Sequence, residues 1–348
     1  MRMKAYQLVG WQQQPELREV DVREPGPGEV LLKVGGAGAC HTDLTLMGIP
    51  PGFMPYTLPF TLGHEAAGWV EAVGAGVTGL ERGSAVLVYG PWGCGRCKPC
   101  REGSENHCER VPELRSHGGG LGRDGSLAHY LLVPSPRLLV PLGSLDPREW
   151  APLVDAALTP YHAIKRALPV LVPGSSAVVI GVGGLGQMAV QLLRVLSPAR
   201  VIAVDTSEQK LARARELGAE AAVRADDKAV EHVRALTRGL GAELVLDIVG
   251  IDSTLKLAAG VARQRGQLTV IGLGGGVLPF HSFALPLECQ VVAPYWGTLP
   301  EMMEVLALAE AGRLQMTVEH FPLEKAAEAY QRMRDGTLKG RAVITPHG

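Results

Sequence analysis

The stretch Ala177-Val-Val-Ile-Gly-Val-Gly-Gly-Leu-Gly186 decides the fold of this chain. Its first four residues are apolar and predict a buried strand, and a helical apolar pattern continues to about Leu196. Gly181, Gly183 and Gly186 occupy the three positions of a GxGxxG turn between them. The first glycine permits a tight bend, the second lets the backbone approach a pyrophosphate, and the third lets the helix pack closely on the strand. The stretch therefore predicts a dinucleotide site at a strand–helix turn.

Apolar strands alternate with helical patterns on the C-terminal side of this turn. Such alternation predicts an α/β domain, in which a parallel sheet is covered by helices on both faces. The predicted elements are a helix over 185–196, a strand over 201–205, a helix over 208–217, a strand over 244–248, a helix over 254–262 and a strand over 268–272. Two further helices are predicted over 300–311 and 324–333, and a final strand over 342–344. Before about residue 150, short apolar runs between Gly and Pro turns, such as 29–34 and 84–89, predict mostly antiparallel strands.

Asp205 ends the strand that follows the glycine turn. A carboxylate at this point can accept hydrogen bonds from the adenosine ribose hydroxyls, and it repels the 2′-phosphate of NADP. Residues 206–209 contain no Arg or Lys to offset that repulsion, and Lys210 is expected to flank the adenine ribose. The sequence therefore favours NAD. The alternative is a structural glycine turn next to a surface aspartate.

Composition excludes several classes of function. The 348 residues carry a net charge of −1, which does not favour binding to nucleic acid or to an acidic membrane. The N-terminus lacks the pattern of a secretory signal, so a cytoplasmic location is expected. Residues 167–193 carry no charge, but Pro169, Pro173 and the glycine turn interrupt them, which predicts a loop, a strand and a helix and not a membrane span.

Four of the six cysteines lie within a single short segment. Cys94, Cys97, Cys100 and Cys108 follow the spacing C-x2-C-x2-C-x7-C, which lets four thiolates surround one zinc ion without long-range folding. Protein ligands fill all four positions, so the segment predicts a structural zinc. An iron–sulfur cluster and four unrelated free thiols are the alternatives.

A second group of candidate metal ligands is dispersed. Cys40 follows the glycine-rich run 35–38, and His64 and Glu65 come later in the chain. A lone Cys is more often a small buried apolar residue, and a lone His is more often a hydrogen-bonded core residue. These residues become candidates because a cysteine-rich metal segment and a dinucleotide turn accompany them.

Together these motifs resemble the zinc-dependent alcohol dehydrogenases of the medium-chain dehydrogenase/reductase superfamily. The resemblance covers essentially the whole chain, through the segments 38–43, 63–65, 94–108, 155–160, 181–186 and 340–343. It implies a GroES-like, mostly β catalytic domain over 1–155 with the structural zinc lobe. It also implies a Rossmann doubly wound parallel sheet that binds NAD over 156–295, and a return to the catalytic domain over 296–348.

The resemblance also implies a catalytic zinc. Cys40, His64 and Asp155 match its ligands, although many relatives carry Cys at the third position. An oxygen ligand there is compatible with catalytic zinc and leaves exchange with another divalent ion more open. Glu65 matches an outer or alternate ligand, and Asp43 matches the carboxylate that orients the histidine.

The implied reaction moves a hydride between an alcohol carbon and NAD. Thr42 matches the hydroxyl that accepts the alcohol proton, and Thr45 stands where several relatives carry a proton-relaying His, which leaves His41 or water to pass the proton on. By the same matching, His41 and Arg341 contact the pyrophosphate and Thr159 contacts the nicotinamide. The full set of cofactor residues is Gly181, Gly183, Gly184, Leu185, Gly186, Asp205, Lys210, His41, Thr159 and Arg341.

The substrate is expected to be a neutral alcohol or ketone, because no Arg or Lys is clearly placed to bind a carboxylate or phosphate. The resemblance places Thr45, Trp92, Tyr295 and Trp296 at the substrate pocket, which favours secondary or aryl alcohols; packing at a domain interface is the alternative. A homo-oligomer, dimer or tetramer, is implied. Competing functions are a zinc-free quinone or enone reductase and a non-catalytic zinc or cofactor-storage protein.

Overall fold

A computed structural model describes residues 1–348, and the chain divides into two compact units. The first unit contains Met1–Asp155, Gly297–Glu310 and Met316–Gly348. The second contains Ala156–Trp296 and Ala311–Gln315. The two units differ in their secondary structure, since the first is built mainly on antiparallel strands and the second on a parallel sheet.

The strands in chain order are β1 Arg2–Leu8, β2 Glu16–Asp21, β3 Val30–Gly38, β4 Phe60–Thr61, β5 Glu65–Val73, β6 Ala85–Val88, β7 Gly118–Gly119, β8 Gly122–Arg123, β9 Tyr130–Val133, β10 Leu139–Pro141, β11 Ser176–Ile180, β12 Arg200–Asp205, β13 Ala221–Arg224, β14 Ala242–Asp247, β15 Ala262–Val270, β16 Gln290–Val292, β17 Val318–Pro322 and β18 Arg341–Thr345. The α-helices are α1 His41–Gly48, α2 Lys98–Arg101, α3 Val111–Leu114, α4 Pro147–Trp150, α5 Leu158–Ala167, α6 Gly184–Leu196, α7 Glu208–Glu216, α8 Ala229–Leu236, α9 Asp252–Val261, α10 Leu299–Glu310 and α11 Ala326–Arg334. A π-helical turn, Leu153–Ala157, precedes α5.

The first unit is organised by a seven-stranded sheet of order β10-β6-β5-β3-β18-β17, with β9 also paired to β3. All of these pairs are antiparallel except β17 with β18. The predicted antiparallel, strand-rich N-terminal region is confirmed, and the apolar runs 29–34 and 84–89 overlap β3 and β6. β3 is central and pairs with three strands. Its last residues therefore lie in the interior of the unit, and α1 begins shortly after them.

The second unit is a six-stranded parallel sheet of order β13-β12-β11-β14-β15-β16. This is the doubly wound order, in which the chain leaves β11 in one direction and later returns to its other side as β14. Val178, Ile180, Ile202 and Val245 form part of its buried core. Ligands of such sheets bind at the carboxyl ends of the strands, beside the switch between β11 and β14.

The glycine-turn strand and helix form as predicted. Residues 167–193 comprise a 3-10 turn at Leu168–Val170, then β11 and most of α6. No helix in the structure combines the length and apolar character needed to cross a membrane.

Several elements depart from the sequence expectation. The elements α5, β13, α8 and β16 were not predicted, and the strand expected over 268–272 begins at Ala262 and ends at Val270. The short strand β13 and the edge strand β16 lack a continuous apolar run because much of their surface is not buried. Arg263, Arg265 and Gln267 interrupt the apolar pattern of β15, so its first half was missed.

Candidate active site

Four potential metal ligands meet inside the first unit. Cys40 is separated from the end of β3 by Ala39 and directly precedes the first residue of α1. His64 immediately precedes β5, and Glu65 is the first residue of that strand. Asp155 lies in the π-helical turn, a feature that often marks functional positions in proteins. One ligand atom from each of the four residues lies within 4.8 Å of all the others.

The geometry of this cluster fits a catalytic zinc. The carboxylate atom Asp155 Oδ2 lies 3.4 Å from Cys40 Sγ and 3.7 Å from His64 Nε2. All four side chains are buried, so their polar atoms have little access to water. A thiolate, an imidazole and a carboxylate form a three-ligand set that suits zinc and leaves a fourth position for another molecule.

Asp43 fixes the orientation of the His64 ring. His64 Nδ1 donates a hydrogen bond to Asp43 Oδ1 at 3.2 Å, which leaves Nε2 facing the cluster. The second carboxylate atom, Oδ2, accepts a hydrogen bond from the Cys40 backbone N–H at 3.1 Å. Carboxylates that hold a metal-binding histidine in this way set its tautomer and raise its basicity. The predicted role of Asp43 therefore agrees with its contacts.

Glu65 is paired with Arg341 at the edge of the cluster. Arg341 Nε donates to Glu65 Oε2 at 3.2 Å, and Arg341 Nη2 contacts the other carboxylate oxygen. The same Nη2 lies 3.6 Å from Asp155 Oδ2. A side chain on Gly38 would overlap the Glu65 carboxylate, so glycine at that point of β3 admits Glu65 to the cluster. Glu65 is within ligand distance but its charge is already balanced; the predicted contact of Arg341 with a pyrophosphate remains a prediction.

Electrostatics favour an ionised thiol at Cys40. Burial raises the pKa of Cys40, but Arg341 and His64 more than offset this and the pKa is lowered. Burial lowers the pKa of His64, whereas Asp43 and the hydrogen bond to Asp155 raise it well above its usual value. A divalent cation bound here would therefore displace a proton from His64.

Thr42 lies beside the cluster, and two other residues of α1, His41 and Thr45, lie at the surface. Thr42 Oγ1 is 3.5 Å from Cys40 Sγ. His41 and Thr45 are exposed, and Thr45 Oγ1 donates to the His41 carbonyl oxygen at 3.2 Å. The hydroxyl predicted to take the alcohol proton is therefore adjacent to a candidate metal ligand, and the Thr42 residue is partly exposed.

The four cysteines of the 94–108 segment form a second, closed group. Their sulfur atoms lie within 4.8 Å of one another, and the pairs Cys94–Cys100 and Cys97–Cys108 are each separated by 4.0 Å. Zinc–sulfur bonds of about 2.3 Å give sulfur–sulfur distances of about 3.8 Å in a tetrahedron. The segment therefore fits a zinc ion with all positions filled, as predicted.

Backbone N–H groups further prepare these sulfur atoms for a cation. The N–H of Cys97 points to Cys94 Sγ at 3.3 Å, and that of Arg110 points to Cys108 Sγ at 3.4 Å. Burial raises the pKa of Cys94, but the N–H groups of Arg96 and Cys97 lower it to about 6. Burial and the nearby Cys97 raise the pKa of Cys100.

The glycine turn of the second unit has the geometry of a dinucleotide site. Gly181 adopts a φ of 87°, which a side chain rarely permits. A Cβ on Gly186 would overlap the Gly181 carbonyl oxygen, so glycine is needed for helix and strand to approach. A Cβ on Gly183 would meet nothing within 4 Å, which leaves space before the N-terminus of α6 for a phosphate.

Asp205 lies beside this turn, as the sequence predicts. Its Oδ2 accepts the N–H of Val182 at 2.7 Å, and its Oδ1 accepts the N–H of Ser207 at 2.9 Å. Lys210 lies in the first turn of α7, where its backbone N–H is directed to the Ser207 hydroxyl at 3.4 Å. Each carboxylate oxygen retains a lone pair for a ribose hydroxyl.

The predicted substrate and nicotinamide residues are distributed over both units. Trp92, in the first unit, lines a small cavity together with His64, and its Nε1 donates to the Tyr89 carbonyl oxygen at 3.0 Å. Thr159, Tyr295 and Trp296 belong to the second unit. The rings of Tyr295 and Trp296 pack edge to face with centroids 6.2 Å apart, and Trp296 has a φ of 55°. Left-handed backbone at a bulky residue is strained and is often found at functional sites.

One contact of the site was missed by the sequence analysis. Tyr330, on α11, donates its hydroxyl to Asp43 Oδ2 at 2.8 Å although 287 residues separate the two. Tyr330 lies in a helix whose pattern only indicates burial, so no local signal marks it.

Comparison with known sequences agrees with this geometry. Residues 26–144 match the alcohol dehydrogenase GroES-like domain, and residues 184–311 match the zinc-binding dehydrogenase family. The chain is 34% identical to an NAD-dependent alcohol dehydrogenase of Sulfurisphaera tokodaii, covering 99% of this chain and 100% of the relative. It is 33% identical to a D-arabinose 1-dehydrogenase (NADP(+)) of Saccharolobus solfataricus, covering 99% and 98%.

Solved structures give the same picture. The alcohol dehydrogenase from the hyperthermophilic archaeon Aeropyrum pernix superposes with a TM-score of 0.92 at 35% identity, covering 99% of this chain and 100% of that one. Acetophenone reductase from Geotrichum candidum, in complex with NAD, superposes with a TM-score of 0.85 at 32% identity, covering 99% and 97%.

Proposed function

Since this chain belongs to the zinc-binding alcohol dehydrogenases of the medium-chain dehydrogenase/reductase superfamily, we propose that it transfers a hydride reversibly between a neutral alcohol and NAD. The observation that carries the proposal is the buried group of Cys40, His64 and Asp155, which offers zinc three ligands of suitable type. A non-catalytic storage protein would have no need of a three-ligand site that leaves a zinc position open to another molecule.

Each residue of the cluster has a distinct task in this reaction. Cys40, His64 and Asp155 would hold the zinc, and Asp43 keeps the His64 ring turned toward it. A zinc ion bound there acts as a Lewis acid and lowers the pKa of the alcohol hydroxyl. Thr42, 3.5 Å from Cys40 Sγ, accepts the alcohol proton. Because Thr45 has no imidazole to relay the proton, His41 or water would complete the proton path.

The cofactor is NAD, which supplies the hydride acceptor. The turn Gly181–Gly186 and the N-terminus of α6 would receive its pyrophosphate, and Asp205 would receive the adenosine ribose. The carboxylate of Asp205 disfavours a 2′-phosphate. The relative named D-arabinose 1-dehydrogenase (NADP(+)) makes the comparison of both cofactors essential.

The substrate class is a secondary or aryl alcohol. Trp92 lies at the His64 cavity of the first unit, and the rings of Tyr295 and Trp296 pack against each other in the second unit. The assignment of Tyr295 and Trp296 to the pocket rests on the family resemblance. Arg341, the cation of the cluster, is engaged by Glu65 and is not available to bind a substrate carboxylate. Similarity to acetophenone reductase favours an aryl ketone, and similarity to the D-arabinose enzyme makes a sugar the second candidate.

An activity screen tests these assignments. Purified protein with measured zinc content would be assayed for NADH or NADPH formation with ethanol, 2-alkanols, 1-phenylethanol, polyols and D-arabinose. The proposal predicts the highest kcat/KM for a secondary or aryl alcohol with NAD. Preference for D-arabinose would indicate that the substrate is a sugar. Activity with quinones or enones alone would support the alternative hypothesis of a zinc-free reductase.

Association between copies of the chain is a further part of the proposal. Several large apolar side chains between residues 273 and 291 are exposed in the second unit, including Phe280 at 77% and Phe283 at 85%. The segment runs into β16, the last strand of the sheet, whose outer edge has no partner strand. Exposed apolar patches and open sheet edges are commonly covered by association, so we propose a homo-oligomer formed through this region. Light scattering of wild type and Phe283→Asp tests this, and a monomeric wild type would contradict it.

A cytoplasmic location is proposed on chemical grounds. Both candidate metal groups need reduced thiols, and no cysteine of the structure forms a disulfide. The cytosol keeps thiols reduced. Cell fractionation with a tagged chain would test the location.

A further inference from the structure

Asp43 receives hydrogen bonds from three different parts of the first unit. Its carboxylate is fully buried, and it accepts from His64 Nδ1, from the Cys40 backbone N–H and from the Tyr330 hydroxyl. The first two donors belong to metal ligands. The third comes from α11, close to the C-terminal end of the chain.

The two oxygen atoms of Asp43 are held differently. Oδ1 faces His64, whereas Oδ2 is shared by Cys40 N at 3.1 Å and Tyr330 Oη at 2.8 Å. The Cys40 N–H, at the beginning of α1, donates to Oδ2, and so does the Tyr330 hydroxyl on α11. With Oδ2 held by two donors, the plane of the carboxylate and the position of Oδ1 are defined. A buried carboxylate that loses a donor is destabilised and tends to rotate or to recruit another partner.

The ring and the hydroxyl of Tyr330 make different contacts, so the two can be tested separately. The ring is buried and stacks on Tyr6, with centroids 6.2 Å apart and an angle of 16° between the planes. A phenylalanine would preserve this stacking and fill the same volume. Burial, followed by the charge of Asp43, raises the pKa of Tyr330 well above its usual value, so the hydroxyl remains a donor.

We propose that Tyr330 is a positioning residue for the catalytic metal, because its hydroxyl fixes Asp43 and thereby the imidazole of His64. The proposal rests on the assignment of Cys40, His64 and Asp155 as zinc ligands. It concerns metal retention, which can be measured without turnover. Changes to groups that orient metal ligands typically alter metal affinity or activity by about 10–100-fold.

The test compares Tyr330→Phe with Tyr6→Phe. Each variant removes one hydroxyl from the same stacked pair, but only the Tyr330 hydroxyl reaches Asp43. Zinc release to a chromophoric chelator would be followed in the purified proteins, and the four-cysteine site serves as an internal control for folding. We expect Tyr330→Phe to lose one zinc per chain about 10-fold faster than wild type, while its second zinc is released at the wild-type rate. Tyr6→Phe should keep the melting temperature of the wild type.

Three outcomes would overturn the proposal. Equal release rates in Tyr330→Phe and wild type would show that the hydroxyl does not support the site. Parallel acceleration of both zinc ions, or the same acceleration in Tyr6→Phe, would show a general effect on folding. Failure of the proposed function would look different: a wild-type protein that binds two zinc ions but oxidises no alcohol would contradict the function. The zinc-release rates would still test the role of Tyr330.

Discussion

The Asp205 carboxylate accepts a hydrogen bond from the backbone N–H of Val182, with Oδ2 and N separated by 2.7 Å. Val182 lies inside the glycine turn, so the residue proposed to read the adenosine ribose also supports the loop that receives the pyrophosphate. Its other oxygen accepts the N–H of Ser207. Cofactor choice and loop conformation are therefore linked through one side chain.

Asp205→Gly is predicted to weaken NAD binding and to narrow the preference for NAD over NADP. Hydrogen bonds to a charged group contribute about 1.5–3 kcal/mol, so NAD affinity should fall by roughly 10–100-fold. Asp205→Asn is the control, because it removes the charge and keeps one acceptor oxygen, which suffices for the N–H of Val182 or of Ser207 but not for both. We expect Asp205→Asn to change the cofactor ratio more than the affinity for NAD. Titration of both cofactors and kcat/KM would be measured, and an unchanged NAD/NADP ratio in both variants would refute the assignment.

Cys97→Ser is predicted to damage stability more than chemistry, because the four-cysteine site is closed. Loss of about 2 kcal/mol from a unit of this size would lower Tm by roughly 4–8 °C. Cys289→Ser is a matched control, since Cys289 lies outside both metal groups. Calorimetry and zinc analysis would be used. A Cys97→Ser protein with normal Tm and zinc content would rule out a structural metal there.

Trp296→Ala is predicted to shift preference toward bulkier ketones. A single buried methylene is worth about 1–3 kcal/mol of discrimination in an apolar pocket, so the ratio of kcat/KM for bulky and small substrates should rise at least about 10-fold. Zinc content and NAD affinity should be preserved. Equal losses of rate for small and bulky substrates would show that Trp296 serves packing and does not shape the pocket.

The enzyme is predicted to be heat-stable. The chain has a single asparagine, Asn106, and 25 Arg against 9 Lys. Scarcity of thermolabile amides is typical of proteins from hot environments, although a GC-rich genome also raises the Arg content. Residual activity after incubation at about 60 °C, the upper part of the usual mesophile melting range, would be measured. Rapid inactivation there would contradict the prediction.

The sequence predicts those parts of the site that are local in the chain. The turn from Gly181 to Gly186 is recognisable because three glycines have fixed roles between one strand and one helix. The cysteines from Cys94 to Cys108 are recognisable because their spacing alone allows them to surround a metal ion. Cys40, His64 and Asp155 needed the family resemblance, since 115 residues separate Cys40 from Asp155 and no local pattern joins them.

The contacts that tune the site depend on long-range packing and could not be predicted. Arg341 meets Glu65 across 276 residues, and Tyr330 meets Asp43 across 287. Arg341 was expected at a pyrophosphate, and its ion pair emerges only when β18 is placed beside β3. The strands β13 and β16, which the sequence does not predict, illustrate the same limit. Their short sequences form strands because they pair with β12 and β15.

The most direct test of the central claim is a comparison of wild type with Cys40→Ala in zinc content, NAD affinity and alcohol-dependent NADH formation. A Lewis acid worth several kcal/mol corresponds to at least about a thousandfold in rate. We predict that Cys40→Ala retains one zinc per chain and binds NAD normally, because the glycine turn lies in the other unit, while turnover falls by that factor or more. Turnover close to that of wild type, or a loss of NAD affinity as large as the loss of rate, would contradict a catalytic zinc held by Cys40.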